Sequence, residues 1–346
     1  MSQFSIIARS AFGGFLLLGG GLALAEDNNS LFNKPGNILI ADQFNNRAIE
    51  IDPATHGVVW VFGSGSSVAG PRSTVGVNDV ERVGVLTLLT GTGIPAGIFC
   101  PSAGGCPDNR VMLVDKTGII VWQYGQAGVA GSGADLLNVP VAAVFLPGFH
   151  VLITDQSNQR VIEVDHGKNI VWQFGVTGVT GKSANHLNTP NSAELLANGH
   201  ILISDQGNNR VIEVGRDHKI VATFTAGASL SGPAFASRLD SGNTLITDAN
   251  NNRIVEVDSG DNIVWQYFTN LRPGSIPNPV PTRAVRLASG NTLISDQINN
   301  QVIEVNPAKV IVFAQGKVNV AGNGFDQLYW PYDAKVVGDY TGLTPP

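Results

Sequence analysis

Charged side chains are scarce in this chain of 346 residues: aspartate, glutamate, lysine and arginine together make up 14% of it. The 21 basic residues are outnumbered by 27 acidic ones, and the formal net charge at pH 7 is −6. Nucleic-acid binding relies on clustered lysine and arginine that neutralise phosphates, and this sequence is acidic. We therefore expect no nucleic-acid partner.

Cysteine is equally scarce, and its two copies, Cys100 and Cys106, lie in the run Cys-Pro-Ser-Ala-Gly-Gly-Cys. A zinc site would need more cysteine or histidine close by, and the neighbouring sequence has none. In an oxidising compartment, two cysteines so close together favour a disulfide that closes a small loop. We predict a Cys100–Cys106 disulfide.

Long apolar runs are missing except near the N-terminus. Residues 11–24 are apolar and glycine-rich, follow Arg9, and lead to the small-residue sequence Ala23-Leu24-Ala25. The run is short for a membrane span of about 20 residues, and the pattern is typical of a cleaved secretory signal. We predict a signal peptide over 1–25, one domain over 26–346, and a secreted or periplasmic mature protein without a transmembrane segment. A retained N-terminal anchor is the alternative.

The chain does contain a repeated six-residue phrase, in which Asp precedes an asparagine-rich turn and then Arg or Gln. Its five copies cover residues 42–47, 155–160, 205–210, 248–253 and 296–301, and a damaged sixth copy ends in Asp108-Asn109-Arg110. Each copy lies between short apolar runs rich in β-branched residues, which are typical of strands. Self-similarity at roughly 40–50 residues is typical of propellers and solenoids.

The repeat unit predicts a blade of four short strands. In residues 187–224, four segments of high β propensity are separated by turns of glycine, asparagine and aspartate. A sheet of this kind cannot bury both faces alone, and radial stacking of six sheets solves the problem. The first unit lacks an inner strand, whereas residues 328–337 repeat the inner-strand pattern. We therefore predict an all-β, six-bladed β-propeller of four-stranded antiparallel blades, closed by the C-terminal strand joining the N-terminal blade.

The repeated phrase resembles the NHL repeat over nearly all of residues 31–340. The resemblance rests on the lead-ins Asn138-Val139-Pro140 and Asn188-Thr189-Pro190, on a strand ending in Asp, and on the Asn-x-Arg before a Glu-Val strand. The chain departs from the NHL pattern at the inner strand, where 193–196 read Ala-Glu-Leu-Leu. The segments 170–175 and 263–267, which contain Ile-Val-Trp-Gln, are also similar to quinoprotein-like and arylsulfotransferase-like propeller repeats. Such a resemblance implies a fold and does not carry a function.

Residues that recur in every unit are expected to serve the fold. The repeated aspartates can accept hydrogen bonds from N–H groups of the turns that follow them. The repeated arginines can then pair with a carboxylate of their own or of the next blade. Four tryptophans share one position of the outermost strand, which indicates packing between blades rather than a cofactor site; they are Trp60, Trp122, Trp172 and Trp265.

Function is expected where the repeat is broken, on the inner strands around the channel. These strands carry Asp79, Glu81, Arg82, Asn191, Glu194, Arg283, Asp333 and Lys335. The insertion with the two cysteines and the long links between blades open on one face, and loops on a rigid scaffold commonly bind ligands. We predict a ligand site at the channel mouth formed by Asp79, Asn191, Glu194, Arg283 and Asp333. Alternatively, acids and bases in a narrow channel, such as Arg283 and Asp333, simply pair with each other.

A metal site is implied only by the resemblance to other propeller families. NHL-type amidating lyases hold a metal with inner-strand histidines, whereas the histidines here fall in turns and in one link, so that no three can converge on one ion. Lactonase-like and strictosidine-synthase-like propellers place a hard cation among Glu, Asn and Asp residues of the channel. This resemblance implies calcium as the ion to consider, although we expect no cofactor.

The sequence thus favours an exported binding or interaction module whose partner is an unknown protein or small-molecule ligand. The first alternative is a cation-dependent hydrolase or lyase with its site in the central channel. A second alternative is a periplasmic quinoprotein-like or sulfotransferase-like protein, indicated only by the tryptophan-bearing segments.

Overall fold

The computed structural model describes residues 31–97 and 99–346, and the predicted signal peptide lies outside the described residues. No helix in these two ranges is long and apolar enough to cross a membrane. Helical structure in the described residues is limited to 3-10 turns at Gln43–Asn45, Gln156–Asn158, Gln206–Asn208, Ala249–Asn251 and Thr269–Leu271. The 24 strands found there are β1 Ile38–Asp42, β2 Arg47–Asp52, β3 Gly57–Phe62, β4 Val77–Val83, β5 Leu86–Ile94, β6 Cys106–Val114, β7 Ile120–Tyr124, β8 Pro140–Leu146, β9 His150–Asp155, β10 Arg160–Val164, β11 Ile170–Phe174, β12 Pro190–Leu195, β13 Ile201–Asp205, β14 Arg210–Val214, β15 Ile220–Phe224, β16 Pro233–Arg238, β17 Thr244–Asp248, β18 Arg253–Val257, β19 Ile263–Phe268, β20 Arg283–Arg286, β21 Thr292–Asp296, β22 Gln301–Val305, β23 Ile311–Gln315 and β24 Pro331–Val336.

The strands form six four-stranded antiparallel sheets, each of which is one blade. Blades two to six each use four consecutive strands, whereas blade one has the order β24-β1-β2-β3. In blade one Ile38 lies opposite Val336, and Ile40 lies opposite Ala334. The last strand therefore supplies the inner strand of the first blade and closes the ring. The predicted six-bladed β-propeller is confirmed.

The core lies between the blades. The second and third strands of a blade are almost entirely buried, and every residue of β13 and β14 is, because neighbouring blades cover both of their faces. One apolar cluster joins Val144 and Leu152 of blade three to Ala193 and Ile203 of blade four. Radial stacking thus supplies the buried area that one sheet cannot provide by itself.

The repeated aspartate ties each blade together. In blade four, Asp205 Oδ1 accepts the N–H of Asn188 (2.8 Å), and its Oδ2 accepts Asn208 Nδ2 (2.8 Å) and Arg210 Nε (2.7 Å). Blades one, three and five repeat all three bonds. The carboxylate therefore holds the link that leads into the inner strand of its own blade. The expected bond to the following turn is made by the side-chain amide N–H of Asn208, whereas the aspartate caps no backbone N–H of that turn.

The fifth residue of the phrase joins neighbouring blades. Asn209 has a left-handed φ of 53°, a conformation that asparagine tolerates better than most residues. Its Oδ1 accepts the N–H of Gly232, directly before the next inner strand, at 2.8 Å. An equivalent bond crosses every one of the six blade interfaces, and Gln159 supplies the oxygen in blade three.

Two blades keep the same buried ion pair by other means. In blade two, Gly91 occupies the aspartate position, because a Cβ there would lie 2.3 Å from the carboxylate of Asp108 on the facing strand. Asp108 accepts the N–H of Val75 (2.8 Å) and Arg110 Nε (2.5 Å). In blade six, Gln301 replaces the arginine, and Arg272 pairs with Asp296 at 2.7 Å instead.

The four repeated tryptophans also join blades, as predicted. Each indole N–H donates to a main-chain oxygen in a turn of the next blade, with distances of 3.1 to 3.4 Å; the acceptors are Lys116, His166, Arg216 and Pro307.

Candidate functional site

The six inner strands surround the central channel, and residues at equivalent positions form layers across it. The first layer lines a cavity of about 550 Å³, which we call the channel-mouth cavity. This layer consists of Asn78, Val141, Asn191, Ala234, Thr282 and Tyr332. The cavity lies on the face that carries the repeated phrases, and the predicted residue Asn191 is in its wall.

A glutamine ring surrounds the cavity above the first layer. It is formed by the second residue of the repeated phrase, and its members are Gln43, Gln156, Gln206 and Gln297. Ala249 and Thr92 take this position in blades five and two. Sequence reasoning missed the ring because it assigned the whole phrase to the fold. The other repeated positions of the phrase bond within or between blades, whereas this one faces the channel.

One chain of hydrogen bonds orders part of the ring. Gln297 Nε2 donates to Gln43 Oε1 (2.8 Å), and Gln43 Nε2 donates to Asn78 Oδ1 (2.8 Å). The ends of this chain, Gln297 Oε1 and Asn78 Nδ2, have no hydrogen-bond partner within 31–97 and 99–346. An acceptor and a donor are therefore left for a ligand.

A second chain lies across the cavity floor. The Tyr332 hydroxyl donates to Asn191 Oδ1 (3.0 Å), and Asn191 Nδ2 donates to Gln206 Oε1 (3.1 Å). Gln206 Nε2 has no partner among the residues that the structure describes. Thr282 donates its hydroxyl to the Tyr332 carbonyl (2.6 Å), which holds the tyrosine at the floor.

The disulfide loop, described here over residues 95–97 and 99–106, forms one side of the cavity through Pro95 and 104–106. Cys100 and Cys106 are bonded, with their Cα atoms 5.8 Å apart, which confirms the predicted disulfide. Phe99 of this loop stacks on Phe44 with the ring centroids 4.2 Å apart, and Trp330 packs within 5.0 Å of both rings. These aromatic contacts anchor the loop to blade one beside the cavity.

Directly beneath the cavity lies a buried ion-pair cluster of Asp79, Arg283, Asp333 and Lys335. Arg283 Nη2 lies 2.8 Å from Asp79 Oδ1, and Lys335 Nζ lies 2.6 Å from the same oxygen and 2.7 Å from Asp333 Oδ2. Arg283 Nε lies 2.9 Å from Asp333 Oδ1, within ion-pair distance but without hydrogen-bond geometry. Arg283 and Asp333 thus pair with each other, which is the alternative that the sequence left open.

The two aspartates of the cluster respond oppositely to this environment. Burial opposes the ionisation of Asp79, but the charges of Arg283 and Lys335 hold its pKa below its ordinary range. Burial raises the pKa of Asp333 to about 6 despite the same two neighbours. Two acids and two bases in contact leave the cluster close to electroneutral.

Two glutamates lie lower in the channel. Burial raises the pKa of Glu81 to about 8, and its Oε2 accepts the N–H of Phe145 at 2.9 Å. Burial also raises the pKa of Glu194, whose Oε2 accepts the N–H (3.0 Å) and the hydroxyl (2.7 Å) of Thr344. Glu194 Oε1 is 4.0 Å from Arg283 Nη1, at the limit of an ion pair.

The C-terminal tail, residues 337–346, crosses the lower end of the channel. The Tyr340 hydroxyl donates to the carbonyl of Arg82 in blade two (2.8 Å), and Asp339 Oδ2 accepts the N–H of Ala288 in blade six (2.9 Å). Thr344 bonds to blade four through Glu194. The tail therefore links blades two, four and six and separates the glutamates from the lower face, an arrangement that sequence reasoning missed.

The five predicted site residues share one channel but do not form one site. Asn191 lines the cavity, Asp79, Arg283 and Asp333 lie just below it, and Glu194 is lower, against the tail. The channel carboxylates do not fit a calcium site, because a cation between Asp79 and Asp333 would have to displace Lys335. Within the described residues, no group of three or more His, Cys, Asp or Glu is placed to hold a metal ion.

No family model and no curated protein matches the chain. Similar solved structures include a protein of unknown function from Bacteroides caccae (TM-score 0.59, 14% identity, covering 81% of this chain and 93% of that chain). A streptogramin B lyase has a TM-score of 0.53 and 11% identity, covering 83% and 80% of the two chains. A virginiamycin B lyase from Staphylococcus aureus has a TM-score of 0.50 and 12% identity, covering 83% and 85%. At these identities the likeness shows the propeller fold alone.

Proposed function

We propose that this chain is an exported, NHL-like binding module that takes up its ligand in the channel-mouth cavity. The observation that carries the proposal is the chemistry of the cavity wall, which consists of amides, hydroxyls and apolar groups. No residue lining the cavity contributes a carboxylate, imidazole, amine, guanidinium or free thiol. Acid–base and nucleophilic catalysis mostly use such groups, and the lining hydroxyls of Thr92, Thr282 and Tyr332 all donate to other protein atoms. The wall therefore suits binding better than reaction.

Size and rigidity support the same function. A cavity of about 550 Å³ is within the usual range for small-molecule sites, roughly 300–1,000 Å³. Its walls are turns and links carried by strands whose ends are fixed by buried ion pairs and bonds between blades. A preformed site loses little entropy on binding. The Cys100–Cys106 disulfide supports export, because disulfides persist in oxidising compartments.

The alternative is a cation-dependent hydrolase or lyase, and two of the similar structures are named lyases. The channel carboxylates argue against it. Asp79 and Asp333 are already neutralised by Arg283 and Lys335, and Glu194 is bonded to the tail. Each would have to lose these partners before it could ligate a metal ion.

Native mass spectrometry of the protein purified from the cell that makes it tests the proposal. We expect a bound mass in the wild type that is absent from Gln206→Trp, where the indole fills the cavity from the ring. Val221→Trp, on the exposed face of an outer strand, is the matched control and should keep the bound mass. If the wild type carries no such mass, or if Gln206→Trp retains it, the cavity is not the binding site. Elemental analysis showing one calcium per chain would favour the enzyme.

A further inference from the structure

We infer that the channel-mouth cavity takes an uncharged oligosaccharide; the inference rests on the proposed function and names the class of its ligand. The ligand must first be neutral. No lining residue carries a charge, and the cluster under the floor balances Asp79 and Asp333 with Arg283 and Lys335. A carboxylate, phosphate or ammonium group would lose its hydration here without gaining a counter-charge, and that loss is expensive.

The ligand must also both donate and accept hydrogen bonds. Asn78 and Gln297 are more than nine-tenths buried, yet one polar atom of each, Nδ2 and Oε1, is left without a partner in the described ranges. Gln206 Nε2 adds a further free donor. A sugar hydroxyl both donates and accepts at one oxygen, so adjacent hydroxyls can pair with these free amide donors and with the free acceptor. A hydrocarbon chain would leave these amides without hydrogen bonds, and each amide would then cost the free energy of its desolvation.

Apolar side chains in the cavity wall suit the other surface of a sugar. Ile94, Pro107, Val139 and Val141 line the cavity together with the amides. Such apolar surface can cover the C–H face of a pyranose ring. Amides and apolar side chains in one wall match the two surfaces of a sugar, its hydroxyl edge and its C–H face.

Calorimetric titration with matched hexasaccharides tests the inference. The N-acetylglucosamine and glucosamine hexamers differ mainly in charge, and the panel adds the neutral hexamers of cellulose, xylan and starch and the acidic galacturonate hexamer. We expect at least one neutral hexamer to bind, and each charged hexamer to bind at least tenfold more weakly than the best neutral one. Gln297→Leu should lower the affinity at least tenfold, whereas Gln123→Leu, on the outermost strand of blade two, should leave it unchanged.

A variant that introduces a charge tests the inference if Gln297→Leu fails to fold. Asn78→Asp retains the oxygen that accepts from Gln43 and replaces the free donor by negative charge. It should lower the affinity for the neutral hexamer. The ratio of that affinity to the affinity for the cationic glucosamine hexamer should decrease or fall below one. Failure of every neutral hexamer to bind, or equal affinity for a charged one, overturns the inference. If native mass spectrometry then still finds a cavity-dependent ligand that is charged or peptidic, the proposed function stands and only the ligand class is wrong.

Discussion

At the scale of single residues, Asp205 is fully buried, and its ionic partner is Arg210 at 2.7 Å. Removing one member of a buried pair leaves an uncompensated charge, which commonly costs 3–5 kcal/mol. We expect Arg210→Ala to lower the free energy of unfolding by about 3 kcal/mol. Lys219→Ala, which removes an exposed ion pair with Asp217, should leave it nearly unchanged, because solvent screens such a pair. Urea denaturation of both variants checks this, and equal effects would show that the repeated pair is not a structural bond.

Blade six offers a rescue experiment. Arg272 reaches Asp296 from a link and replaces the arginine that the other blades carry at the position of Gln301. Arg272→Ala should destabilise the protein, by a similar amount to Arg210→Ala. Adding Gln301→Arg should restore most of the loss, because the side chain from this position reaches the aspartate in blades one, three, four and five. No recovery in the double variant would mean that Arg272 acts through other contacts.

The buried carboxyl of Glu81 predicts a pH dependence of stability. Its pKa is raised from 4.5 to about 8 in the folded protein, so between these values the folded state holds a proton that the unfolded state has released. Stability should therefore fall as the pH rises, with a slope of at most about 1.4 kcal/mol per pH unit. Asp333 contributes in the same direction only up to about pH 6.

Glu81→Gln tests this origin of the slope. Chemical denaturation between pH 6.5 and 8 should show a flatter profile in the variant than in the wild type. Asp217→Asn, on an exposed turn, should keep the wild-type slope in this range. An unchanged slope in Glu81→Gln would place the titrating group elsewhere.

At the scale of elements, the C-terminal segment has two separable parts. Strand β24 pairs with β1 and carries Asp333 and Lys335, whereas the tail after it only crosses the lower channel. Deleting 329–346 should leave β1 with an unpaired edge and give an insoluble protein. Deleting 339–346 should leave a folded propeller whose melting temperature is lower by a few degrees. Solubility and thermal melts of the two truncations check this, and a soluble, unchanged 329–346 deletion would contradict ring closure by β24.

The repeat made the elements predictable. Each copy of the phrase marks the turn between the second and third strands, and the missing first inner strand pointed to β24. The direction in which a side chain leaves a tight turn cannot be predicted from the repeat. Gln206 and Asn209 belong to one phrase, yet Gln206 faces the channel and Asn209 bonds to the next blade. The tail had no repeat to identify it, because its bonds to three blades are made once only.

At the scale of the whole molecule, the residues that depart from the repeat have two different roles. Arg283 and Asp333 depart from it and lie in the channel as predicted, but they pair with each other beneath the cavity, and Asp333 also pairs with Lys335. Asn191 departs from it and lines the cavity. Sequence alone does not separate these cases, since a buried ion pair formed across a channel depends on strands that are far apart along the chain. Propeller closure brings Asp79 and Lys335 into contact.

We propose that the ligand occupies the channel-mouth cavity, above an ion-pair cluster that stays intact. A crystal structure of the protein purified with its native ligand is the decisive experiment. We expect density for an uncharged molecule in the cavity, in contact with Asn78 Nδ2 and Gln297 Oε1, with Lys335 still between Asp79 and Asp333. Density for a metal ion between those two aspartates, with Lys335 displaced, would contradict this binding mode.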